Sequence, residues 1–370
     1  MQQTLIDRSG GTAKTWSIRR SGTEVFKSNA GGKERMKSFE SAEEAAKHVK
    51  KEVWSRLKKG FVLSRPEAGP GEPVMHRYVG GGYTGFMPLA PIAGGNQVYI
   101  SYVVNQFEKE EIRLLDAHGD MRTIIGLPGG SMIYEMVYVP EREELLVNRD
   151  HRIYTISLKD NRLQPLTRML AVPASTLSVS GKTAVWYSDS ELVVSSLDSG
   201  EAFYTERVEP ELYRGHSTQL CAALSPDGSL LAYSVESNQI VLCDLKTNQR
   251  SVLDKKTPTL TSQLRFSPGN RYLFALEQFG DWNLQVYDLA ALKLDETWPL
   301  EGIKQFAIHE DKQLLAVYRY EKIRLIDLTA KRLTLEFPVE HIVKKCSLAF
   351  TRDYLAVYTD YGCASLYALP

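Results

Sequence analysis

The chain has 370 residues, 43% of them hydrophobic and 24% charged, a balance that suits a soluble protein of two domains or of one large domain with an appendage. No run reaches the apolar length that spans a bilayer, and the polar start MQQTLIDRSGG lacks the apolar stretch of a signal peptide, so a cytoplasmic protein is expected. Formal charge is zero, but residues 1 to 65 carry 15 Lys+Arg against 7 Asp+Glu and the remainder 30 against 38, a basic head on an acidic body that implies an anionic partner for the head.

In the head, TLI (residues 4 to 6) and TWSI (residues 15 to 18) read as short strands, followed by a hairpin and KSF. The stretch SAEEAAKHVKKEVWSRLKKG predicts a helix, opened by a capping box of Ser41 and Glu44 and stopped by Gly60. At about 100° per residue, Ala42, Ala46, Val49, Val53 and Leu57 share a face that must pack on the strands. Lys47, Lys50, Lys51 and Lys58 gather on another, with Trp54 between the two. Lysines beside an aromatic suit a phosphate backbone with a base to stack; the same residues equally describe a solvated helix whose Trp54 covers its rim. The preceding stretch VFKSNAGGKERMKSF sets glycines among Lys27, Lys33 and Arg35 but lacks GxxxxGK[ST] spacing, so ATP-type binding is not expected.

The order LIDRS, KTWSI, SGTEV, GGKERMKSFESAEEAAKHVKKEVWSRLKKGFV resembles the Trp-Gly-Arg (WGR) domain of DNA-dependent poly(ADP-ribose) polymerases and many bacterial proteins. The matching positions span residues 4 to 62: Trp16, Gly22-Thr23, Lys37, Phe39 and the closing Lys58-Lys59-Gly60-Phe61. The resemblance implies a small α+β module over residues 1 to 62 that contacts DNA or RNA. After GTEV, the longer hairpin that carries the family's Trp-Gly-Arg signature is replaced by FKSNAGG. Lys27, Lys33 and Arg35 supply charge there, without a stacking ring.

Residues 63 to 73, rich in Pro and Gly, read as a semi-rigid linker that lets the head reorient. From about residue 85 a unit recurs: three apolar strands, the third closing in a DL-like ending, then a more polar fourth. Its anchors are Asp116, Ser157, Ser196, Asp244, Asp288, Asp327 and Ala368, with separations of 41, 39, 48, 44, 39 and 41 residues. A period near forty with four strands per unit predicts a β-propeller, and seven anchors predict seven blades. The last unit stops after its third strand, and the extended VMHRYV, residues 74 to 79, is expected to cover the open edge beside Leu366. The expected fold is therefore mainly β, a seven-bladed β-propeller over residues 74 to 370 preceded by a small α+β WGR-like domain.

The SPDG turn, Arg214-Gly215-His216 and the DL endings resemble WD-repeat propellers over most of residues 85 to 370. Cys243 stands where that family closes a strand with Trp, and Ser237 replaces its hairpin Asp, so the family's hydrogen-bond tetrad is not intact; His216 reads as a structural loop residue. In such rings the second-to-third-strand hairpins gather on one face. That places Phe107, Arg149, Tyr187, Phe279, Trp282, Arg319, Tyr320 and Tyr361 on a protein-docking surface, aromatics and arginine being the types that dominate interface energetics.

An enzymatic propeller is the rival reading. Asp150, His151, Asp189, Glu236, Asp281 and Asp360 lie in the relevant loops, yet HxxxH, HExxH and GxSxG spacings are absent. Cys221, Cys243, Cys346 and Cys363 lack CxxC spacing and sit in apolar runs, the pattern of buried thiols. No cofactor and no metal are expected. The leading expectation is a non-catalytic two-module binding protein, its head on an anionic partner and its ring on a protein. A pure scaffold is the second reading and a propeller hydrolase the last.

Overall fold

The computed structural model describes residues 2–7, 13–80, 87–104, 108–130, 132–171, 174–209, 212–213, 216–217, 220–236, 238–256, 259–278, 282–298, 300–341 and 344–370. Its first elements are β1 (Gln2–Asp7), β2 (Lys14–Ser21), β3 (Glu24–Asn29), β4 (Arg35–Ser38), α1 (Ala42–Leu57), β5 (Val62–Ser64) and β6 (Pro73–Tyr78). Period-two alternation puts Trp16 and Ile18 of β2 on one buried face, with Leu5 directly opposite Trp16. The Ser41 hydroxyl accepts the Glu44 N–H at 3.1 Å and starts α1. Ala45, Val53 and Leu57 of the helix are buried on Leu5, Trp16, Ile18 and Val25. Ala42, expected on this seam, is exposed; the i, i+4 ridge that meets the sheet runs 45, 49, 53, 57, and Ala42 lies one turn before it.

The head is built into the ring. β5 pairs with β1 (Leu5 opposite Leu63) and with β6 (Leu63 opposite His76), and β6 pairs with Cys363–Ala368, Met75 opposite Leu366. One nine-stranded sheet results, ordered Cys346–Phe350, Tyr354–Thr359, Cys363–Ala368, β6, β5, β1, β2, β3, β4. The intervening residues, expected as a reorienting linker, form a packed turn. Arg65 pairs with Glu72 at 2.8 Å, and the Gly71 N–H donates to Ala368 O at 2.9 Å. Three apolar residues of β5 and β6, Leu63, Val74 and Met75, are almost wholly buried, and that burial opposes any hinge motion at this point.

Six four-stranded antiparallel sheets follow among the described residues, in a propeller arrangement. Their inner strands are Leu89–Pro91, Ile133–Val139, Leu177–Ser180, Ala222–Leu224, Thr261–Phe266 and Gln305–His309. Cys346–Phe350 neighbours both Gln305–His309 and Leu89–Pro91, so the nine-stranded sheet lies between the last and the first of the six. Each sheet buries apolar residues against the next: Phe274 and Val286 of one meet Phe306, Leu315 and Val317 of its neighbour.

The repeat anchors have a physical role. Asp244 Oδ1 accepts the N–H groups of Lys246 and Thr247, Asp288 Oδ1 those of Ala290 and Ala291, and Asp327 Oδ1 those of Thr329 and Ala330. Ser196 Oγ does the same more weakly for Asp198 and Ser199. Each of these four side chains closes the turn between third and fourth strands, the local bonding that Asp and Ser offer a backbone. In the first repeat Asp116 caps a turn that ends at Gly119, whose φ is +78 and where a Cβ would overlap Val62 of β5.

Candidate functional site

The hairpin between Leu314–Arg319 and Lys322–Asp327 turns on two residues, Tyr320 and Glu321, both with positive φ (46° and 60°). That backbone matches the twist of the strands and normally selects Asn-Gly; a bulky aromatic held there is strained. Tyr320 is 68% exposed, the highest value among the described large apolar residues. The Arg319 guanidinium lies 5.1 Å from its ring centroid. Gly302, from the loop before Gln305–His309, lies against this pair: a Cβ there would come within 3.2 Å of Arg319 Nε and 3.5 Å of Tyr320 Oη. Beside Tyr320 runs an open groove of about 300 Å³, lined also by Arg319, Lys322, Arg324 and Glu336. Glu336 is shared by Lys322 at 2.6 Å and Arg324 at 2.7 Å, so the groove carries more positive than negative charge.

The other expected docking residues divide. Trp282 is half-buried, and Tyr361 is 47% exposed. Arg149 and Tyr187 are buried, not displayed: Arg149 Nε lies 3.6 Å from Glu110 and its Nη2 donates to Pro128 O, while Tyr187 donates its hydroxyl to Val208 O at 2.8 Å. A guanidinium or phenol at the base of a hairpin satisfies itself inside the sheet before it reaches solvent. Phe107 and Phe279 lie outside the described residues.

The loop acids considered for catalysis are occupied by backbone. Asp150 accepts the Met132 N–H, Asp189 the Ala171 N–H, and Asp360 those of Lys344 and Lys345. In each case a hairpin carboxylate pins the segment that leads into its own sheet. His151 Nδ1 lies 3.2 Å from Leu170 O, in the same kind of contact. Asp281, Arg214 and Gly215 and the side chains of Glu236 and His216 lie outside the described residues.

The cations of the head are mostly exposed: Lys33, Arg35, Lys47, Lys50, Lys51 and Lys58 face solvent. Lys47 pairs with Glu43 at 3.0 Å along the helix, and the half-buried Lys27 with Glu52 at 3.3 Å. Trp54 is covered by the ring. Its indole stacks on Tyr361 and on His341, each at 4.8 Å between centroids, and meets the edge of Tyr78 at 5.3 Å, while Lys58 Nζ sits 5.9 Å from it.

Beneath Trp54 lies a cluster that sequence reading missed. His76 of β6 is fully buried, its Nδ1 2.7 Å from Ser365 Oγ and its Nε2 3.3 Å from Glu340 Oε2; His341 Nε2 is 4.0 Å from the same oxygen. Burial works against a charged His76, but the Cys363 thiol and the Glu340 carboxylate beside it outweigh this and raise its pKa to about 9. Burial likewise opposes a charged Glu340, yet His76 holds it at about 2, while burial together with the His76 charge lowers His341 to about 3. A cavity of about 80 Å³ between α1 and the ring is bordered by Glu340 and His341. The only signal in the sequence was a histidine inside the apolar run VMHRYV.

No family model matches the chain, and no curated protein sequence does. Among solved structures, a chain of the "Crystal Structure of Mitotic Checkpoint Complex" matches with a TM-score of 0.65 at 10% identity, over 82% of this chain and 93% of that one. No described helix is long and apolar enough to cross a membrane. At such low identity the likeness shows the fold alone: this chain carries a β-propeller arrangement with a WD40-like neighbour.

Proposed function

We propose that the chain is a non-catalytic protein-interaction scaffold whose ring docks a protein partner through the hairpin of Arg319 and Tyr320. The observation that carries this reading is Tyr320 itself, an aromatic ring held out at 68% exposure on a strained turn beside a cationic groove. Exposed aromatics flanked by arginine anchor protein interfaces, and the groove's charge favours an acidic segment. The WD40-like fold fits such a role, and the engagement of Asp150, Asp189 and Asp360 with backbone weighs against hydrolysis. In this reading the ring is seven-bladed over residues 74 to 370, its last blade completed by β6, and residues 1 to 62 form a WGR-like domain joined through residues 63 to 73.

The test is capture of partners from nuclease-treated lysate. Proteins recovered by the wild type and lost with Tyr320→Ala are expected; an identical set recovered by Tyr320→Ala and Arg319→Ala would refute the reading.

The exposed Lys47, Lys50, Lys51 and Lys58 favour a second contact, of the head with a polyanion such as DNA or RNA. With Trp54 covered, that contact is one of charge alone. Four phosphates neutralised on a duplex give a slope of log affinity against log salt of about −3.6, from about −0.9 each. Lysine-to-glutamine changes at Lys50, Lys51 and Lys58 should flatten it toward about −0.9. Absence of binding at low salt removes this second contact and leaves the scaffold.

A further inference from the structure

We propose that His76 Nε2, Glu340 Oε2 and His341 Nε2 form a binding site for a divalent transition metal of the zinc class, placed where the head meets the ring. One ligand atom from each of the three residues lies within 4.8 Å of the others. Donors at about 2.0–2.1 Å from a tetrahedral zinc stand about 3.3 Å apart. The His76–Glu340 edge, 3.3 Å, already has that length, and the His341–Glu340 edge, 4.0 Å, needs to close by about 0.7 Å.

Two buried nitrogens point to the ion. His76 Nε2 and His341 Nε2 are both shielded from solvent and neither makes a hydrogen bond: His76 is near Glu340 Oε2 without being aligned to it, and His341 is too far from it. Buried polar atoms are ordinarily satisfied. An ion pair between His76 and Glu340 accounts for one of them and leaves His341 turned toward the same oxygen with nothing between. A cation bound by all three satisfies both.

The surroundings are those a metal site requires. The ion displaces the proton that His76 otherwise carries beside Glu340; Nδ1–H then donates to Ser365 Oγ, which leaves the lone pair on Nε2 and fixes the ring, the outer-shell support that ligating histidines have. His341 is held by the Trp54 ring stacked on it. The adjoining cavity, about 80 Å³, exceeds the ~30 Å³ share of one water and can supply the fourth ligand. Lys50, on the cavity wall, acts on both Glu340 and His341 and opposes the ion's charge, an effect that its exposure to solvent weakens. Two imidazoles in a set of three favour zinc, cobalt or nickel over magnesium or calcium. His76 sits on β6, which is paired on one side to the ring and on the other to the head, while His341 carries the stacked Trp54 of α1. The ion would therefore clamp the head onto the ring, whatever the ring docks.

The full chain, stripped with chelator, is titrated with Zn²⁺ by calorimetry and with Co²⁺ by visible absorption. One equivalent of zinc, a raised melting temperature and the intense d–d bands of tetrahedral cobalt are expected. Glu340→Gln, which keeps the shape of the cluster, should weaken zinc at least tenfold, and His341→Ala at least a hundredfold. His118→Ala, an exposed histidine elsewhere, should bind as the wild type does. Absence of stoichiometric binding to the wild type overturns the proposal, and so does unchanged affinity in both Glu340→Gln and His341→Ala.

Discussion

Tyr361 of the ring lies stacked on Trp54 of the head, centroids 4.8 Å apart and planes inclined by 27°. The contact joins a helix that read as a nucleic-acid surface to a hairpin that read as a protein-docking rim, and each hides part of the other. Offset stacking of this kind adds about 0.5–1.5 kcal/mol to area burial. Because His341 and Tyr78 crowd the same indole, Trp54→Ala leaves a cavity at the junction and should cost about 3 kcal/mol in urea unfolding. Trp54→Phe should recover about half of that. A Trp54→Ala protein as stable as the wild type would show that the head is not fixed to the ring by this contact.

The Arg149–Glu110 pair makes a second prediction. Glu110 is 2% and Arg149 7% exposed, and Glu110 Oε1 also takes the Ser101 hydroxyl at 2.5 Å and the Ile133 N–H at 3.2 Å. Removing the guanidinium strands a buried carboxylate, so Arg149→Ala should cost about 3–5 kcal/mol. Arg149→Met combined with Glu110→Gln, which removes both charges, should recover most of it. Equal losses in the single and double variants, measured by denaturant titration, would contradict a charge pair as the cause.

The turn anchors should behave alike across the ring. Asp244→Ala, Asp288→Ala and Asp327→Ala each remove a carboxylate that accepts two backbone N–H groups, and each should cost about 1–2 kcal/mol. Substitution by Asn, which keeps one acceptor oxygen, should cost about a third as much. If the three Ala variants unfold at the wild-type midpoint, the turns hold themselves without their caps.

Much of the architecture was legible for the same reason. A side chain that closes the same turn in successive repeats recurs at the repeat period, so Asp116, Asp244, Asp288 and Asp327, read with the apolar strands before them, marked the period of the propeller. The capped helix was legible because Ser41 and Glu44 act locally. What escaped is non-local. Nothing in residues 62 to 64 says that three residues of strand will bridge two sheets, and a proline-rich run packed on a ring reads like a free linker. Burial also sorts identical residue types: Arg149 and Arg319 hold equivalent hairpin positions, but only the first has Glu110 beneath it. His76, Glu340 and His341 meet only once β6 has joined the last strand, a condition that no local spacing records.

Glu111 gives a pH dependence of known sign. It sits on strand Lys109–Leu115, where its carboxylate takes the Lys109 ammonium at 2.7 Å, the Arg113 guanidinium at 2.8 Å and the Thr123 hydroxyl at 3.1 Å. The Lys109 hydrogen bond leads these effects; with Arg113 and Thr123 it outweighs the burial that opposes it, and the pKa falls from the ordinary 4.5 to about 2. A depressed folded pKa means that the unfolded chain binds the proton more readily. The stabilisation is therefore complete above about pH 4.5 and is lost as the pH falls toward about 2. Glu111→Gln should lower the melting temperature at pH 7 and leave it nearly unchanged at pH 2, so that the wild-type and variant curves converge on acidification. Parallel curves across that window would show that Glu111 contributes no charge-dependent stability, and that the two cations beside it are held by something other than its carboxylate.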